Sequence, residues 1–221
     1  MLFTGGYRMS QTSSIRIADR VHATTVLGPG TRAGLWVQGC DLACPGCIAP
    51  HTHKAHGGSA ESIEAIVEWL EGLRGIDGLT ISGGEPFQQM NGVLSLVTRL
   101  RHRGDWSIML YSGYTMEALR RRGEEAMTLI KQLDIFIDGP YQAHRATAMR
   151  WRGSDNQRIH FITERHQEWA SQLEEEGLWM EARIDDDGTL RWTGVPPPGF
   201  IDAMHEHMAH EGLRLRPIAG P

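Results

Sequence analysis

The chain carries all of its cysteines in one short stretch, Gly39-Cys40-Asp41-Leu42-Ala43-Cys44-Pro45-Gly46-Cys47. Three thiolates do not complete a four-ligand metal site, and the 221 residues contain no fourth cysteine. A 4Fe–4S cluster held by three thiolates keeps one iron free to bind a substrate or cofactor. A zinc site of three cysteines and one histidine is the alternative, because His51, His53 and His56 follow directly. The stretch therefore predicts a metal centre whose fourth ligand is not a cysteine.

A second motif follows about forty residues later and reads Leu79-Thr80-Ile81-Ser82-Gly83-Gly84-Glu85-Pro86. It is a short apolar strand that ends in a turn. The two glycines let a ligand approach the backbone, and the Glu85 carboxylate can accept hydrogen bonds from an amino group. On its own, the tetrapeptide Gly83-Gly84-Glu85-Pro86 is an ordinary turn between a strand and a helix.

The two motifs together, in this order and one βα unit apart, resemble the S-adenosylmethionine (SAM) site of the radical SAM superfamily. The resemblance implies that Cys40, Cys44 and Cys47 hold a 4Fe–4S cluster. It also implies that the methionyl amine and carboxylate of SAM chelate the open iron. The turn formed by Gly83, Gly84, Glu85 and Pro86 would then grip the amine.

Four further stretches resemble the anaerobic ribonucleotide reductase-activating proteins, a branch of the glycyl-radical-enzyme activases. They are Cys44-Pro45-Gly46-Cys47, Tyr111-Ser112-Gly113-Tyr114-Thr115 with Glu117, Asp134-Ile135-Phe136-Ile137-Asp138-Gly139-Pro140-Tyr141, and Arg152-Gly153-Ser154-Asp155-Asn156-Gln157-Arg158. The resemblance covers about Ile15 to Ile162. The segment Ile48-Ala49-Pro50-His51 departs from the Tyr/Phe-Asn that usually follows the third cysteine.

The activase resemblance implies a reaction and a role for each remaining site residue. A reduced cluster cleaves SAM to methionine and a 5′-deoxyadenosyl radical, which takes a hydrogen atom from a glycine Cα on a partner protein. Flavodoxin or ferredoxin would supply the electron. The backbone at Gly46 and Ile48 would face the adenine and Ser112 the ribose, while Asp138 would hold the SAM carboxylate side or shape the cavity. As alternatives, Ser112 is a strand-end turn residue and Asp138 a turn-capping carboxylate.

Two other functions remain open. One is a radical SAM enzyme acting on a small molecule, like the short 7-carboxy-7-deazaguanine synthases. In that case the run Asn156-Gln157-Arg158 would contact the substrate, whereas its alternative role is to tie the preceding loop to the fold by backbone hydrogen bonds. The other is a non-catalytic zinc or redox module.

Strands and helices alternate over most of the chain, which predicts parallel strands joined by right-handed crossovers. The predicted strands are Ile15–Val26, Gly34–Gln38, Leu79–Ser82, Ser107–Tyr111, Leu133–Asp138 and Ile159–Ile162, with a helix over Ser59–Leu73. The candidate site residues follow the ends of these strands, where parallel α/β folds bind ligands. The length is too short for a closed eight-unit barrel, so we expect an α/β fold with an open, partial (β/α) barrel.

The organisation along the chain has three parts. Residues 1–13 are expected to be a disordered extension, in which Met9 is an alternative start, and residues 14–162 form the core. Residues 163–221 form an extension packed on the same domain: a helical segment over Glu164–Gly177, a β-hairpin and the helix Phe200–His210. Trp151 and Trp192 are candidates for a docking surface.

The charge, the apolar stretches and the cysteines limit the partners and the cell compartment that we expect. A formal charge of −5 argues against a nucleic-acid partner, because phosphate binding needs a positive face. We see no apolar stretch long enough to span a membrane and no signal peptide. Clustered cysteines without disulfide partners fit a reducing compartment, which predicts the cytoplasm.

Overall fold

The computed structural model describes residues 14–184, 186 and 188–212. The expected disordered extension, residues 1–13, lies outside this range. Within it, one sheet contains seven strands in the order β3-β1-β2-β4-β5-β6-β7. The strands are β1 (Ser14–Thr24), β2 (Arg32–Val37), β3 (Ser59–Ser62), β4 (Gly78–Gly83), β5 (Ser107–Ser112), β6 (Ile135–Asp138) and β7 (Arg158–Phe161).

The four central strands of this sheet, β2, β4, β5 and β6, run parallel to one another. β1 pairs antiparallel with both β2 and β3, and β7 pairs antiparallel with β6. The fold is therefore α/β with a mostly parallel central sheet, as the alternating pattern predicts. β3 and β7 form its two edges, so the sheet is open.

Helices cover one face of the sheet: α1 (Ile63–Gly72), α2 (Met90–Arg103), α3 (Met116–Arg122) and α4 (Glu124–Ile130). Their apolar residues recur at helical spacing and pack on the strands, so that Ile66, Leu100 and Ile81 are all fully buried. A smaller cluster lies on the opposite face, around Met109 and Trp151. Trp151 is only 2% exposed, so the prediction that it belongs to a docking surface is wrong.

The helix predicted over Ser59–Leu73 begins four residues late. Residues 59–62 instead pair with β1 as an edge strand, with Ser14 opposite Ser62. α1 starts at Ile63, and the Ser62 hydroxyl caps it by accepting a hydrogen bond from Ala65 N at 3.1 Å. The helical spacing of apolar residues also begins only at Ile63. The preceding residues 59–62 do not belong to this pattern, so they can pair with the sheet.

The helical segment that follows β7 also differs from the expected one. It spans Glu164–Gln172, forms 3₁₀ turns and is interrupted by non-helical backbone at His166. His166 Nε2 lies 2.7 Å from Ser107 Oγ, and the Trp169 ring packs against Trp151 in a tilted arrangement at a centroid distance of 5.4 Å. These contacts hold the segment against the second face of the sheet. The backbone follows them instead of forming a regular α-helix.

The hairpin and the last helix occur where the sequence predicts them. β8 (Trp179–Ile184) pairs antiparallel with β9 (Leu190–Val195), and α5 (Phe200–His210) follows. The hairpin contacts the rest of the protein on two sides. Glu181 Oε1 accepts hydrogen bonds from Thr25, and Trp179 Nε1 donates one to Ala148 O at 3.1 Å.

None of the helices in the described ranges is long and apolar enough to cross a membrane.

Candidate functional site

The cysteine loop leaves the end of β2 and is held by backbone hydrogen bonds. Gly39 N donates to Thr52 O at 2.7 Å, Cys40 N to His53 O at 3.1 Å, and Cys47 N to Cys44 O at 3.1 Å. All three thiols are free and partly buried. The loop therefore presents three unpaired sulfur ligands from a single fixed segment.

Backbone amides point at two of the sulfurs. Burial raises the pKa of Cys40, while amide hydrogen bonds from Leu42 and Ala43 act in the opposite direction. Burial likewise raises the pKa of Cys47, whose Sγ accepts a hydrogen bond from Ala49 N at 3.4 Å. Such amide donors stabilise thiolate ligands, and hydrogen bonds to sulfur are one means by which proteins tune iron–sulfur centres.

The Gly-Gly-Glu turn lies directly against this loop. Gly83 pairs with Val37 in the parallel ladder, Gly84 N donates to Val37 O at 2.7 Å, and Glu85 N donates to Gly39 O at 2.8 Å. A Cβ at residue 84 would lie only 2.2 Å from Gly39 O, and Gly83 has a φ of +103°. Glycine is therefore required here by the close approach of the cysteine loop, and the two motifs form one hydrogen-bonded unit.

The Glu85 carboxylate is buried, with 1% of the residue exposed. Its Oε1 accepts hydrogen bonds from Phe87 N at 3.0 Å and Ser112 Oγ at 2.9 Å, and its Oε2 accepts one from Gly113 N at 2.8 Å. Burial raises the pKa of Glu85 to about 7 despite these donors. A carboxylate offers about four acceptor sites, so three bonds leave room for one further donor.

Ser112 ends β5 and joins the β5 turn to Glu85. Its hydroxyl donates to Glu85 Oε1 and accepts a hydrogen bond from Tyr114 N at 3.0 Å. The turn-residue interpretation of Ser112 thus has direct contacts in its favour, and the side chain also orients the carboxylate.

Asp138 ends β6 and is fully buried. Its carboxylate accepts hydrogen bonds from Met116 N at the start of α3, from Arg158, and from His160 Nε2 at 3.1 Å. Burial raises the pKa of Asp138, but the hydrogen bonds from His160, Arg158 and Met116 outweigh it and hold the pKa below its usual range. These contacts favour a capping role for Asp138.

A cavity of about 320 Å³ brings most of the candidate residues together. Its wall contains the following predicted site residues: Cys40, Cys44, Gly46, Cys47, Ile48, Gly83, Gly84, Glu85 and Ser112. Pro86 and Asp138 do not line it. The volume lies within the range of small-molecule sites, near its lower end.

The sequence interpretation missed part of this wall. Trp36 and Tyr111 line the cavity from β2 and β5, and the segment 194–199 lines it from the C-terminal extension together with Ile201 and Asp202. The strand residues could have been found from their positions close to Cys40 and Ser112. Nothing in the sequence connects the extension with the cysteines, which are about 150 residues away.

The run Asn156-Gln157-Arg158 ties its own loop to the fold. Asn156 Nδ2 donates to Pro140 O at 2.8 Å, and Gln157 Nε2 donates to Gly139 O at 3.1 Å. Gln157 Oε1 accepts from Gly153 N at 2.9 Å. The observed contacts therefore favour the structural role, in which the run ties its loop to the fold. Gln157 also lies on the cavity wall, so it belongs to the candidate site as well.

The arrangement of the cysteines suits a cluster. Across residues 14–184, 186 and 188–212, no three His, Cys, Asp or Glu side chains converge on the position of a single metal ion. The thiolates of a 4Fe–4S cluster bind different irons, so a cluster does not need them to converge on one point. Three partly buried thiols on one cavity wall, beside a carboxylate that can accept a further donor, fit a cluster with SAM.

Comparisons with known proteins agree with this chemistry. Residues 26–160 match the family model described as "4Fe-4S single cluster domain". The chain is 34% identical over 147 residues to the anaerobic ribonucleoside-triphosphate reductase-activating protein of Enterobacteria phage T4, covering 64% of this chain and 91% of that protein. The protein of the same name from Vibrio cholerae is 36% identical over 146 residues, covering 62% and 92%.

Among solved structures, QueE from Escherichia coli is similar with a TM-score of 0.39 and 20% identity, over 46% of this chain and 53% of that one. This similarity is too partial to carry weight. The sequence relatives match almost their whole length, so the chain is an enzyme that uses a 4Fe–4S cluster and SAM. It belongs to the 4Fe-4S single cluster domain family and to the anaerobic ribonucleoside-triphosphate reductase-activating proteins.

Proposed function

We propose that this protein is a radical SAM activase that installs a glycyl radical on an anaerobic ribonucleoside-triphosphate reductase. One observation carries the proposal: the three free cysteines and the buried Glu85 line the same cavity. Relatives that match over more than nine-tenths of their own length bear the name of reductase-activating proteins, which supports this choice of partner.

We assign Cys40, Cys44 and Cys47 to the cluster and the turn at Gly83, Gly84, Glu85 and Pro86 to the methionyl end of SAM. When bound, the reduced cluster and SAM supply a radical that takes a hydrogen atom from an unactivated carbon. The free acceptor position on Glu85 suits an ammonium group, because a buried carboxylate and a cation stabilise each other.

The remaining residues shape the cavity. Gly46 and Ile48 lie on its wall next to the cysteines, where they suit the adenine ring. Ser112 orients Glu85 and lies where a ribose hydroxyl could reach it. Pro86 starts the turn behind Glu85 without lining the cavity. The wall of the cavity is mostly apolar, so it limits the access of water. Limiting water protects a reactive radical from side reactions.

The setting of the enzyme follows from the same chemistry. We propose that it works in the cytoplasm, where thiols stay reduced, and that a flavodoxin or ferredoxin donates the electron. We further propose that residues 14–162 form the catalytic core and that residues 163–221 extend the same domain.

The test is SAM cleavage by the anaerobically reconstituted and reduced protein, with 5′-deoxyadenosine measured by chromatography. We expect product from the unaltered chain and none from Cys44→Ala. The control is His56→Ala, which removes an exposed histidine beside the loop and should keep both iron and activity. Zinc in place of iron, or loss of the metal in His56→Ala but not in Cys44→Ala, would refute the proposal.

The partner is tested in the same preparation. The anaerobic ribonucleoside-triphosphate reductase of the same organism is added, and a glycyl radical is sought by electron paramagnetic resonance. A radical that requires both SAM and Cys44 supports the proposal. Cleavage of SAM without any glycyl radical would show that this reductase is not the substrate.

A further inference from the structure

Most of the exposed large apolar side chains lie on or beside the hairpin. Among the described residues, the large hydrophobic side chains that stand exposed are Leu178, Ile184 and Trp192 on or beside the hairpin, and Ile48 in the cysteine loop. The family match ends at residue 160. The hairpin is therefore an addition to the family core, and it carries most of this exposed apolar surface.

Trp192 and Ile48 both line a cleft of about 360 Å³. Trp36 contributes a third apolar side chain to its wall. Charged residues from β1 and the hairpin also line the cleft: Asp19, Arg20, Glu181, Arg183 and Arg191. Protein interfaces combine apolar and charged side chains in this way, and Trp and Arg are among their most frequent energetic anchors.

The cleft shares part of its wall with the cavity that contains the cysteines. Trp36, Ile48, Ala49 and Gly194 lie on the walls of both. A polypeptide that rests in the cleft therefore contacts residues that also line the cavity. The cavity itself is near the lower limit for one small molecule, so a protein substrate must bind mainly outside it and insert only a short segment.

The cleft is preformed. Glu181 is bonded to Thr25, and the Arg150 guanidinium lies 3.8 Å from the centre of the Trp179 ring. A Cβ at Gly194 would lie 2.2 Å from Trp179 O and 2.9 Å from Val26 Cγ2, so β9 packs tightly on both. Little ordering is needed before a partner binds, which favours affinity.

We propose that this cleft is the docking site for the polypeptide of the partner that flanks its reactive glycine, with an apolar partner side chain packed on the exposed Trp192 and Ile48 side chains. This inference rests on the proposed function. It makes the hairpin the element that selects the partner, while the family core supplies the chemistry.

The test compares Trp192→Glu with Ile184→Glu, both in the full-length holoenzyme. Ile184 is the matched control, because it is exposed on the same hairpin but does not line the cleft. Glycyl radical formation is followed by electron paramagnetic resonance while the concentration of the organism's anaerobic ribonucleoside-triphosphate reductase is varied. We expect Trp192→Glu to raise the half-saturating reductase concentration at least tenfold and to leave the half-saturating SAM concentration unchanged. Ile184→Glu should stay within twofold of the unaltered protein.

Equal responses of Trp192→Glu and the unaltered protein would overturn the docking site and leave the activase function standing. A rise in the half-saturating SAM concentration with no change for the reductase would overturn it as well, because the residue would then act on the cofactor. If the unaltered protein forms no glycyl radical on this reductase, the proposed function fails, and the docking inference fails with it.

Discussion

Ser112 Oγ donates a hydrogen bond of 2.9 Å to Glu85 Oε1, joining the ends of two neighbouring parallel strands. The next residue, Gly113, donates its backbone N–H to the other carboxylate oxygen at 2.8 Å. The β5 turn thus fixes both oxygens of the carboxylate. Because Glu85 N is itself bonded to Gly39 O, one chain of contacts runs from the β5 turn to the cysteine loop.

The Ser112 hydroxyl should affect SAM binding through Glu85. Ser112→Ala removes a hydrogen bond that is worth about 1 kcal/mol and that favours the ionised carboxylate. We expect SAM affinity to fall about fivefold, as measured by calorimetry on the anaerobic holoprotein at pH 7.5. Ser95→Ala is the control, since Ser95 is bonded only to Asn91 O on the exposed side of α2. Unchanged affinity in Ser112→Ala would show that the bond does not orient Glu85 for its ligand.

Glu85 should make SAM binding depend on pH. Burial raises its pKa to about 7, so a falling pH protonates the carboxylate and removes its attraction for an ammonium group. Below pH 7 we expect the affinity for SAM to fall by up to tenfold for each pH unit. In Glu85→Gln the affinity should be lower at pH 8 and nearly constant between pH 6 and 8. Parallel pH profiles for the two proteins would contradict the assignment of Glu85.

The same pKa has a consequence for the stability of the protein without SAM. The pKa of Glu85 is higher in the folded state than the ordinary value of 4.5. Its contribution to stability is therefore full below about pH 4.5 and is lost as the pH rises through about 7. Urea unfolding between pH 5 and 8 would show this loss, and Glu85→Gln should remove it. If the free energy of unfolding depends on pH in the variant as it does in the unaltered protein, other groups cause the pH dependence.

The sequence predicts most of the central sheet and the core of the site. Buried strands such as β4 and β5 are short apolar runs bounded by turn residues, so both their type and their order could be read directly. The cysteine loop and the Glu85 turn are local motifs at strand ends. Their meeting on one cavity wall follows from parallel pairing, which places the carboxyl ends of the strands on the same side.

The parts that sequence could not predict depend on distant contacts. Residues 59–62 form a strand only because β1 offers an edge with which they can pair. The extension lines the cavity only because Trp179 and Glu181 attach the hairpin to residues far away in the chain. The carboxylate of Asp138 faces α3 and β7, and a strand-end position alone does not distinguish that environment from the cavity.

Asp138 should contribute to stability more than to catalysis. Asp138→Asn keeps the shape of the side chain but removes the buried negative charge that pairs with Arg158 and His160. We expect the free energy of unfolding to fall by about 2–3 kcal/mol at pH 7. The pKa of Asp138 is lowered on folding, so its contribution is present above the ordinary pKa and is lost as the pH falls below about 4. Urea unfolding at pH 7 measures the first effect, and a series that continues below pH 4 measures the second.

The control for Asp138 is Asp105→Asn, which alters a highly exposed aspartate with an ion pair to Arg165. A surface pair of this kind contributes at most about 1 kcal/mol. If Asp138→Asn folds normally but abolishes SAM binding, the interpretation as a capping carboxylate is wrong and the SAM-side role is restored.

Trp179 should anchor the hairpin without supporting the central sheet. Its ring lies under Arg150 and its Nε1 donates to Ala148 O, whereas β8 and β9 pair with each other in a sheet separate from the central one. Trp179→Ala should therefore raise amide hydrogen exchange in residues 190–195 at least tenfold and leave β4 and β5 unchanged. Leu178→Ala, at the exposed neighbouring position, is the control and should change neither. If exchange rises equally in β4 and β5, the hairpin unfolds together with the central sheet, and it is not a separable addition to the core.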